Sequence, residues 1–255
     1  MNVFITGASS GIGAELAKEF ASRGATLGLV ARRREALESL AAALPGKHHV
    51  YPVDVTDKDA LIAAGRAFEQ AAGGVDIVIA NAGISVGVKT EYYEDLAQFE
   101  KVLSTNVLAM AYTFHPFIAR MKSVRRGTLV GIASVAGIRG LPGSDAYCAS
   151  KSAAITYLES LRVEMAKHHI KVVTISPGFI RTPLTAKNPY GMPFLMDVAD
   201  FAPRAADAIL AGARYRTIPW QMGFVTGVLR LLPRWLFDRV TARRKQKPRA
   251  VATPP

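Results

Sequence analysis

The feature that most constrains the fold is a regular alternation of short, β-branched apolar runs with longer helical patterns. The apolar runs predict strands at residues 2–6, 26–31, 50–53, 75–80, 128–134, 171–176 and 215–219. Nearly continuous apolar strands indicate a parallel sheet that helices cover on both faces. We therefore predict an α/β fold with a doubly wound sheet, in which ligands bind at the carboxyl ends of the strands.

The chain divides into three parts by composition. Residues 1–219 carry the alternating pattern and are predicted to form one Rossmann-type dinucleotide-binding and catalytic domain. Residues 220–241 are apolar and basic with a helical periodicity that Pro233 interrupts, so we expect a C-terminal helical extension. Residues 242–255 are basic and proline-rich with few apolar side chains, and we expect them to be disordered.

Composition and charge exclude several classes of protein. A single cysteine, Cys148, excludes an internal disulfide and fits a reducing compartment, so we expect a cytoplasmic location. No run approaches the ~18 uninterrupted apolar residues of a membrane span. Most of the net charge of +12 lies beyond residue 211, and no nucleic-acid-binding module accompanies it, so nucleic acid is not an expected partner. His168 and His169 have no partner at metal-ligand spacing, so no metal is expected.

A glycine-rich turn lies between the first predicted strand and the first predicted helix. The turn is one residue longer than the common Gly-x-Gly-x-x-Gly fingerprint. Glycines there permit a close approach to a pyrophosphate, and the helix amino terminus behind them offers free N–H groups. The alternative is a tight strand–helix connection without a ligand. The predicted cofactor contacts in this turn are Gly7, Ser9, Ser10, Gly11, Ile12 and Gly13.

Three arginines, Arg32, Arg33 and Arg34, follow the second strand, where dinucleotide-binding proteins usually have an acid that binds the adenosine ribose. A carboxylate would repel a 2′-phosphate, whereas guanidinium groups pair with it through charge-assisted hydrogen bonds. The sequence therefore predicts NADP(H), with Arg32 as the leading phosphate contact, Arg33 second and Arg34 last. The alternative is that these arginines only begin a solvated helix, where the helix dipole slightly disfavours them.

The next two strand ends carry further candidate cofactor contacts. Asp54 and Val55 end the third strand, where the carboxylate is placed to receive the adenine amino group. Asn81, Ala82 and Gly83 end the fourth strand, where small residues would let the adenosine half lie close. Ordinary turn chemistry at strand ends also accounts for either group.

Tyr147 and Lys151 lie four residues apart at the start of a predicted helix, so both side chains share one helix face. A neighbouring ammonium is expected to lower the pKa of the phenol from ~10 toward the working range. Ser134, at the end of the fifth strand, is placed to donate to a substrate oxygen. Asn106 is a polar residue within an apolar helical stretch. Taken singly, each of these is also an ordinary surface or turn residue.

Together these motifs resemble the short-chain dehydrogenase/reductase family. The resemblance covers about residues 1–215 and includes the Thr-Gly-x-x-x-Gly-x-Gly turn, Asn-Ala-Gly, the Asn, the Ser and the Tyr-x-x-x-Lys pair. The family usually has Asn-Asn-Ala-Gly, and this chain has Ala80 in place of the first Asn. We expect little effect, because the backbone of Asn81 and Gly83 is what approaches the cofactor.

The resemblance implies a role for each matching residue. Tyr147 would be the acid and base, and Lys151 would hold the nicotinamide ribose and lower the tyrosine pKa. Ser134 would position the carbonyl, and Asn106 would hold a water in a proton relay. The segment that grips the nicotinamide carboxamide matches Pro177, Gly178, Ile180 and Thr182. The implied reaction transfers a hydride between the nicotinamide and a carbonyl carbon.

The segment 220–241 presents an apolar helical surface with arginines among it. Its apolar members are Met222, Phe224, Val225, Val228, Leu229, Leu231, Leu232, Trp235, Leu236, Phe237 and Val240. The surface either packs on the domain or on a second subunit, or it rests on an anionic membrane. Some family members that act on steroids and other lipids have comparable segments. The membrane interpretation therefore favours a lipophilic substrate and adds a peripheral location at the inner face of a membrane.

We thus expect an NADP(H)-dependent oxidoreductase that interconverts a small-molecule carbonyl and a secondary alcohol. One alternative is a 3-oxoacyl-carrier-protein reductase, in which the basic segment docks an acidic carrier protein. Another is a catalytically silent, NADP(H)-binding redox sensor, against which the intact Ser-Tyr-Lys set argues. The resemblance also implies homodimers or homotetramers. An apolar substrate pocket is indicated by Tyr190, Met192, Phe194, Leu195 and Met196.

Overall fold

The computed structural model describes residues 1–186, 188–242 and 246–249. The strands are β1 (Asn2–Thr6), β2 (Thr26–Ala31), β3 (His48–Pro52), β4 (Ile77–Ala80), β5 (Gly127–Ile132), β6 (Ile170–Pro177), β7 (Ile180–Arg181), β8 (Met196–Asp197) and β9 (Tyr215–Ile218). The helices are α1 (Gly11–Ser22), α2 (Arg34–Ala43), α3 (Lys58–Ala72), α4 (Tyr93–Leu103), α5 (Ala109–Val124), α6 (Asp145–Ala166), α7 (Val198–Ala211), α8 (Trp220–Leu231) and α9 (Arg234–Thr241).

Seven strands of the described chain form one parallel sheet in the order β3-β2-β1-β4-β5-β6-β9. The chain runs outward from β1 to β3, returns to pair β4 with β1, and then builds the other half. This is the doubly wound arrangement, so the predicted fold class is confirmed. The order reverses between β1 and β4, and the glycine-rich turn lies at that point. The short strands β7 and β8 pair with each other beside this sheet.

Both faces of the sheet are buried, because successive strand residues point to opposite sides. On one face, Ile5 and its neighbours pack against Phe20 of α1 and Phe201 of α7. On the other face, Phe4 packs against Phe117 of α5, with ring centroids 5.0 Å apart. The two apolar layers account for strands that read as almost uninterrupted apolar runs.

Helix α7 begins at Val198, which differs from the predicted start at Pro203. The sequence pattern predicts a helix from about Pro203 to Ala213. Proline, which lacks an N–H, is best tolerated in the first turn of a helix. In the structure Asp197 is the N-cap and Pro203 lies inside the helix. Burial of Phe201 and Ala202, which are 0% and 1% exposed, offsets the lost backbone hydrogen bond.

The helical region from Tyr93 to Val124 contains a π-helical step, Ser104–Leu108, between α4 and α5. By length and composition this region would suffice to cross a membrane, although its apolar residues are not uninterrupted. In the fold, Phe114, Phe117 and Met121 of this region lie in the hydrophobic core beneath the sheet. Its apolar character therefore serves the packing of this domain.

The C-terminal extension is fastened to the loop that follows β5. Helices α8 and α9 are separated at Leu232 and Pro233. Arg139 Nη1 donates to the carbonyl oxygens of Leu229, at 3.2 Å, and Leu232, at 3.1 Å. Its guanidinium also lies 4.1 Å from the centroid of the Phe237 ring. A cation that satisfies the last carbonyls of a helix stabilises that helix end, so Arg139 ties both helices to the domain.

Four residues of the tail have contacts with the domain in the structure, and the expected disorder of residues 242–255 stays a prediction. Residues 246–249 lie against the domain, because Arg249 Nε bonds to Asp95 Oδ2 at 2.8 Å. The Asp95 carboxyl is 1% exposed, and a buried carboxylate requires a cation beside it. The two residues are 154 positions apart, and nothing in the sequence links them. Residues 243–245 and 250–255 lie outside the described residues.

Candidate active site

A cavity of about 540 Å³ opens along the carboxyl ends of the central strands. The predicted residues that line it are Gly7, Ser9, Ser10, Gly11, Ile12, Arg32, Arg33, Asp54, Val55, Asn81, Ala82, Gly83, Ser134, Tyr147, Lys151, Pro177, Gly178, Ile180 and Thr182. Gly13 and Asn106, which were also predicted, are not part of this lining. The remaining lining residues lie outside the predicted site: Ala31, Val53, Thr56, Ile84, Lys101, Thr105, Ile132, Ala133, Pro183, Leu184 and Thr185. Most of these directly flank a motif, which is the signal that could have found them.

The glycine-rich turn forms a cradle at the amino terminus of α1. Gly7 and Gly11 have positive φ angles of +68° and +56°, which favour glycine. A Cβ on Gly13 would overlap the carbonyl oxygen of Gly7 and lie 2.5 Å from Asn81 Nδ2. Within the described structure, Ser10 caps the helix without a side-chain hydrogen bond, so N–H groups of the first turn stay available. This cradle fits a pyrophosphate.

The end of β4 is joined to this turn by side-chain hydrogen bonds. Asn81 Nδ2 donates to the carbonyl oxygens of Thr6, at 2.9 Å, and Gly7, at 3.3 Å. Thr6 Oγ1 accepts from the backbone N–H groups of Asn81, at 3.1 Å, and Ala82, at 3.3 Å. The side chain of Asn81 therefore fixes the shape of the cradle, and the expected approach of its backbone to the cofactor stays a prediction. Ala80 is 4% exposed in the core, which explains why an apolar residue is accommodated there.

The arginines after β2 occupy three different environments. Arg33 Nη2 donates to the carbonyl oxygen and the hydroxyl of Ser9, each at 3.2 Å, and so joins the cradle. Arg32 Nη1 lies 3.7 Å from Asp54 Oδ2, with both side chains largely exposed. Arg34 pairs with Glu38 on α2 and does not line the cavity.

The Asp54 carboxyl lies across the cavity from the glycine-rich turn. Burial acts to raise its pKa, but hydrogen bonds from the N–H and hydroxyl of Thr56 and the charge of Arg32 hold the pKa below its ordinary value. Asp54 is therefore an ionised hydrogen-bond acceptor at neutral pH. The predicted role toward an adenine amino group requires such an acceptor.

Helix α6 presents Tyr147 and Lys151 to the cavity from its first two turns. Lys151 is 4% exposed, and its Nζ donates to the carbonyl oxygen of Ile132 at 2.8 Å. The same Nζ lies 5.8 Å from the centroid of the Tyr147 ring. Burial lowers the pKa of Lys151 to about 8. The side chain can therefore hold or release a proton near neutral pH.

The tyrosine pKa differs from the expectation. Burial raises the pKa of Tyr147 to about 12, and a hydrogen bond with the Ser134 hydroxyl opposes this only in part. We expected the Lys151 ammonium to lower this pKa. The loss of hydration is the main cause of the raised pKa, and the Lys151 amine donates to the Ile132 carbonyl. Without a bound ligand, Tyr147 is therefore a protonated phenol at neutral pH.

Asn106 lies in the π-helical step and is 1% exposed. Its Oδ1 accepts from Ile84 N–H at 2.8 Å, and its Nδ2 donates to the Ile84 carbonyl at 3.0 Å and to Ser150 Oγ at 2.9 Å. Ser150 Oγ in turn donates to the Tyr147 carbonyl at 2.7 Å. The amide therefore connects the loop after β4 to the turn of α6 that carries the tyrosine. The implied role in a water relay stays a prediction.

A second cavity, of about 150 Å³, adjoins the first and shares Ser134, Tyr147, Gly178, Leu184 and Thr185 with it. Most of its wall is apolar. Tyr190 lines it, whereas the other four loop residues that indicated an apolar pocket do not: Met192, Phe194, Leu195 and Met196. Phe194 is 50% exposed and Met196 packs against the core. Helix α8 of the C-terminal extension forms part of the cavity wall, with Met222, Val225, Thr226 and Leu229. Their spacing of three and four residues is the helical signal that could have identified them.

The doubly wound sheet, with a glycine cradle at the point where the strand order reverses, defines a dinucleotide-binding Rossmann-type protein. A family model described as short chain dehydrogenase matches residues 1–191. An uncharacterized oxidoreductase from Myxococcus xanthus is 38% identical over 94% of this chain and 95% of its own length.

Two solved structures share the fold over most of both chains. A short-chain dehydrogenase from Streptomyces avermitilis has a TM-score of 0.78 at 27% identity and covers 94% of each chain. One from Sphingobium yanoikuyae, in complex with NADPH, has a TM-score of 0.76 at 26% identity and covers 91% of this chain and 96% of its own. The chain belongs to the short-chain dehydrogenase/reductase family of oxidoreductases, which use NAD(H) or NADP(H).

Replacing the buried lysine tests the electrostatics of this site. Lys151→Met is expected to raise the free energy of unfolding at neutral pH, because it removes a desolvated ammonium. The folded pKa of about 8 lies below the ordinary value of 10.5, so between these values the unfolded chain binds the proton more tightly. The wild-type penalty is therefore full below pH 8 and disappears as the pH rises to 10.5. Urea unfolding at several pH values should show the gain shrinking over this window, and a constant gain would contradict the assignment.

Proposed function

We propose that this protein is an NADP(H)-dependent oxidoreductase that interconverts a carbonyl and a secondary alcohol on a lipophilic substrate, with Tyr147 as proton donor and acceptor. The observation that carries the proposal is that Ser134 and Tyr147 line both cavities where these meet. A carbonyl at that junction faces two hydroxyl groups and borders the cavity that fits a dinucleotide.

The residues at the junction suit carbonyl reduction. A bound nicotinamide supplies the hydride, or accepts it in the opposite direction. Ser134 donates a hydrogen bond to the carbonyl oxygen as negative charge develops there. The Tyr147 phenol is protonated at neutral pH and gives its proton to that oxygen, because an alkoxide is more basic than a phenolate. With a pKa of about 12, Tyr147 is in the protonated form that the reduction step requires.

Lys151 and Asn106 complete the proposed site from behind the tyrosine. With a pKa of about 8, Lys151 can return a proton to Tyr147 after each turnover. The same amine is placed to hydrogen-bond a ribose hydroxyl, since Lys151 lines the larger cavity. Asn106 is proposed to position the relay path, which is supported by its hydrogen bonds to Ile84 and Ser150.

Removing the phenolic hydroxyl tests the proposed acid. Tyr147→Phe should lower ketone turnover by about 10²- to 10⁴-fold, the usual contribution of a positioned general acid, and leave NADPH binding nearly intact. Oxidation of NADPH is followed by absorbance over aliphatic, aromatic and steroidal ketones, and NADPH binding by fluorescence. Tyr157→Phe is the matched control, because Tyr157 lies on the same helix and stacks on Phe114 instead. Near-normal turnover in the Tyr147 variant would refute the mechanism.

The preference for NADP(H) is supported by the cations at the end of β2. Arg32 and Arg33 line the larger cavity, and the sequence there, Ala31-Arg32-Arg33, has no acid that would repel a 2′-phosphate. The bonds from Arg33 to Ser9 hold one guanidinium at the edge of the cradle. The Arg32 guanidinium is only loosely paired with Asp54, so a phosphate can engage it.

Substitution of each arginine separates phosphate recognition from general charge effects. Arg32→Ala and Arg33→Ala should each lower the ratio of kcat/KM for NADPH to that for NADH by about 10- to 100-fold, through the loss of a charge-assisted hydrogen bond. Arg34→Ala removes the same charge from a side chain outside the cavity and should leave the ratio unchanged. Equal ratios in all three variants would show that these arginines do not select the cofactor.

The NADPH oxidation assay also distinguishes the two alternative functions, a 3-oxoacyl-carrier-protein reductase and a catalytically silent redox sensor. Adding a 3-oxoacyl thioester, free and carrier-bound, identifies a carrier-protein reductase if only the bound form is turned over rapidly. A redox sensor would bind NADPH and consume none of it with any carbonyl compound.

For the location of the protein, we propose the cytoplasm with peripheral contact to the inner face of an anionic membrane. This is supported by the outer side of α8 and α9, where Trp220, Phe224, Leu231 and Trp235 are each at least 68% exposed. The arginines of the same helices add attraction to anionic lipid headgroups. Homo-oligomer formation through this side is the competing arrangement, in keeping with the oligomers typical of the family.

Flotation with vesicles tests the membrane proposal. The protein should float with phosphatidylserine-containing vesicles at low salt and release at high salt, because screening weakens the attraction of the arginines. Trp235→Ala should weaken flotation, whereas Tyr93→Ala, which removes an exposed aromatic residue on α4, should not. Absence of flotation together with a dimer in light scattering would assign this side to a subunit interface.

A further inference from the structure

The last described residues of the chain reach the smaller cavity. Residues 246–249, which we call the strap, cross the loop after β4 and the loop before α6. A Cβ on Gly87 would overlap the carbonyl oxygen of Pro248, and one on Gly143 would lie 2.8 Å from Gln246 Cβ. Glycine at both positions leaves room for the strap, so the two loops are shaped to receive it.

The strap is fixed by a two-pronged ion pair. Arg249 Nε and Nη2 bond to Asp95 Oδ2 and Oδ1 at 2.8 and 3.0 Å. The guanidinium also stacks 3.5 Å above the Tyr92 ring centroid. These bonds hold the pKa of Asp95 below its ordinary value, so the carboxylate stays charged beside its partner at neutral pH.

Lys247 is the member of the strap that enters the cavity wall. Its Nζ donates to Ser85 Oγ at 2.8 Å, and within the described part of the chain no carboxylate forms an ion pair with it. Burial lowers the pKa of this amine, because the loss of hydration disfavours its charged form. Two of the three N–H donors of the ammonium therefore remain for another acceptor.

The cavity lining, as far as the described residues form it, holds no anion that could pair with Lys247. Among the described residues that line it there is no Asp or Glu. The other cation in the lining, Arg139, is already engaged by the α8 carbonyls and the Phe237 ring. A positively charged group in an otherwise apolar wall attracts a substrate that carries a negative charge on an apolar body.

We propose that Lys247 binds a carboxylate of the substrate, so that the carbonyl compounds used by this site are apolar oxo acids. The ammonium and the Ser85 hydroxyl bind the carboxylate, while the carbonyl of the same molecule reaches Ser134 and Tyr147 in the shared wall. The intervening carbon chain packs against Phe179, Met222 and Leu229. This inference rests on the proposed function, because it names the substrate class of the same site.

Paired substrates test this recognition directly. We compare 5-oxohexanoate and 7-oxooctanoate with their methyl esters, which keep the ketone and remove the charge. The wild type should favour the acids, and in Lys247→Met the acid-to-ester ratio of kcat/KM should fall by about 10- to 100-fold with the loss of one charge-assisted hydrogen bond. A general effect on folding or cofactor binding cancels in this ratio. Lys89→Met is the matched control, since Lys89 is exposed and pairs with Glu91, and its ratio should equal that of the wild type.

A binding measurement removes the dependence on turnover. In titration calorimetry with the full-length protein, octanoate should bind about 10- to 100-fold more weakly to Lys247→Met than to the wild type, and Lys89→Met should be unaffected. Equal acid-to-ester ratios and equal octanoate affinities in the wild type and Lys247→Met would overturn the inference. If octanoate binding depends on Lys247 but no ketone, acid or ester is reduced with either nicotinamide, the anion site stands and the proposed oxidoreductase function fails.

Discussion

Every central strand of this protein is apolar on both faces, because helices cover the sheet from both sides. The polar side chains of the candidate site lie at the strand ends, where the backbone leaves the layer. The reversal of strand order between β1 and β4 opens a gap at that edge. The glycine cradle, the Asp54 carboxylate and Ser134 all lie along this edge, and each follows a different strand.

The chemistry at this edge depends on how far two neighbouring groups are removed from water. Burial lowers the pKa of Lys151 and raises that of Tyr147, so each is moved toward its neutral form. A neutral phenol is the form that donates a proton, and a lysine with a pKa of about 8 exchanges protons readily near neutral pH. The protonation states of the two groups are therefore set by desolvation more than by attraction between them.

The sequence predicted the sheet and most of the site because both depend on local patterns. Strand positions follow from apolar runs, and the cradle follows from the glycines between β1 and α1. The predicted start of α7 was wrong, because tertiary burial of Phe201 outweighed the preference of Pro203 for a first turn. The direction in which burial shifts the pKa of Tyr147 was beyond the sequence, because spacing along a helix reveals a neighbouring charge but not the loss of solvent around the phenol.

The contacts made by the tail were beyond sequence reasoning for a different reason. Arg249 and Asp95 are far apart in the chain, and neither stands in a motif. The same holds for Arg139, whose bonds to the end of α8 depend on how the extension folds back. Pairings of this kind arise from the assembled fold, so a composition that indicates disorder does not exclude them.

The smaller cavity takes its outer wall from α8 and from the strap, and its inner wall from the catalytic loops. The outer wall comes from the end of the chain, beyond the last strand of the sheet, and Arg139 and Arg249 attach it at two places. Exchange of this end for another would alter which molecules enter while the cradle, Ser134 and Tyr147 stay as they are. Divergence among relatives in substrate choice can thus be expected to concentrate in the last forty or so positions, where mutation leaves the common scaffold intact.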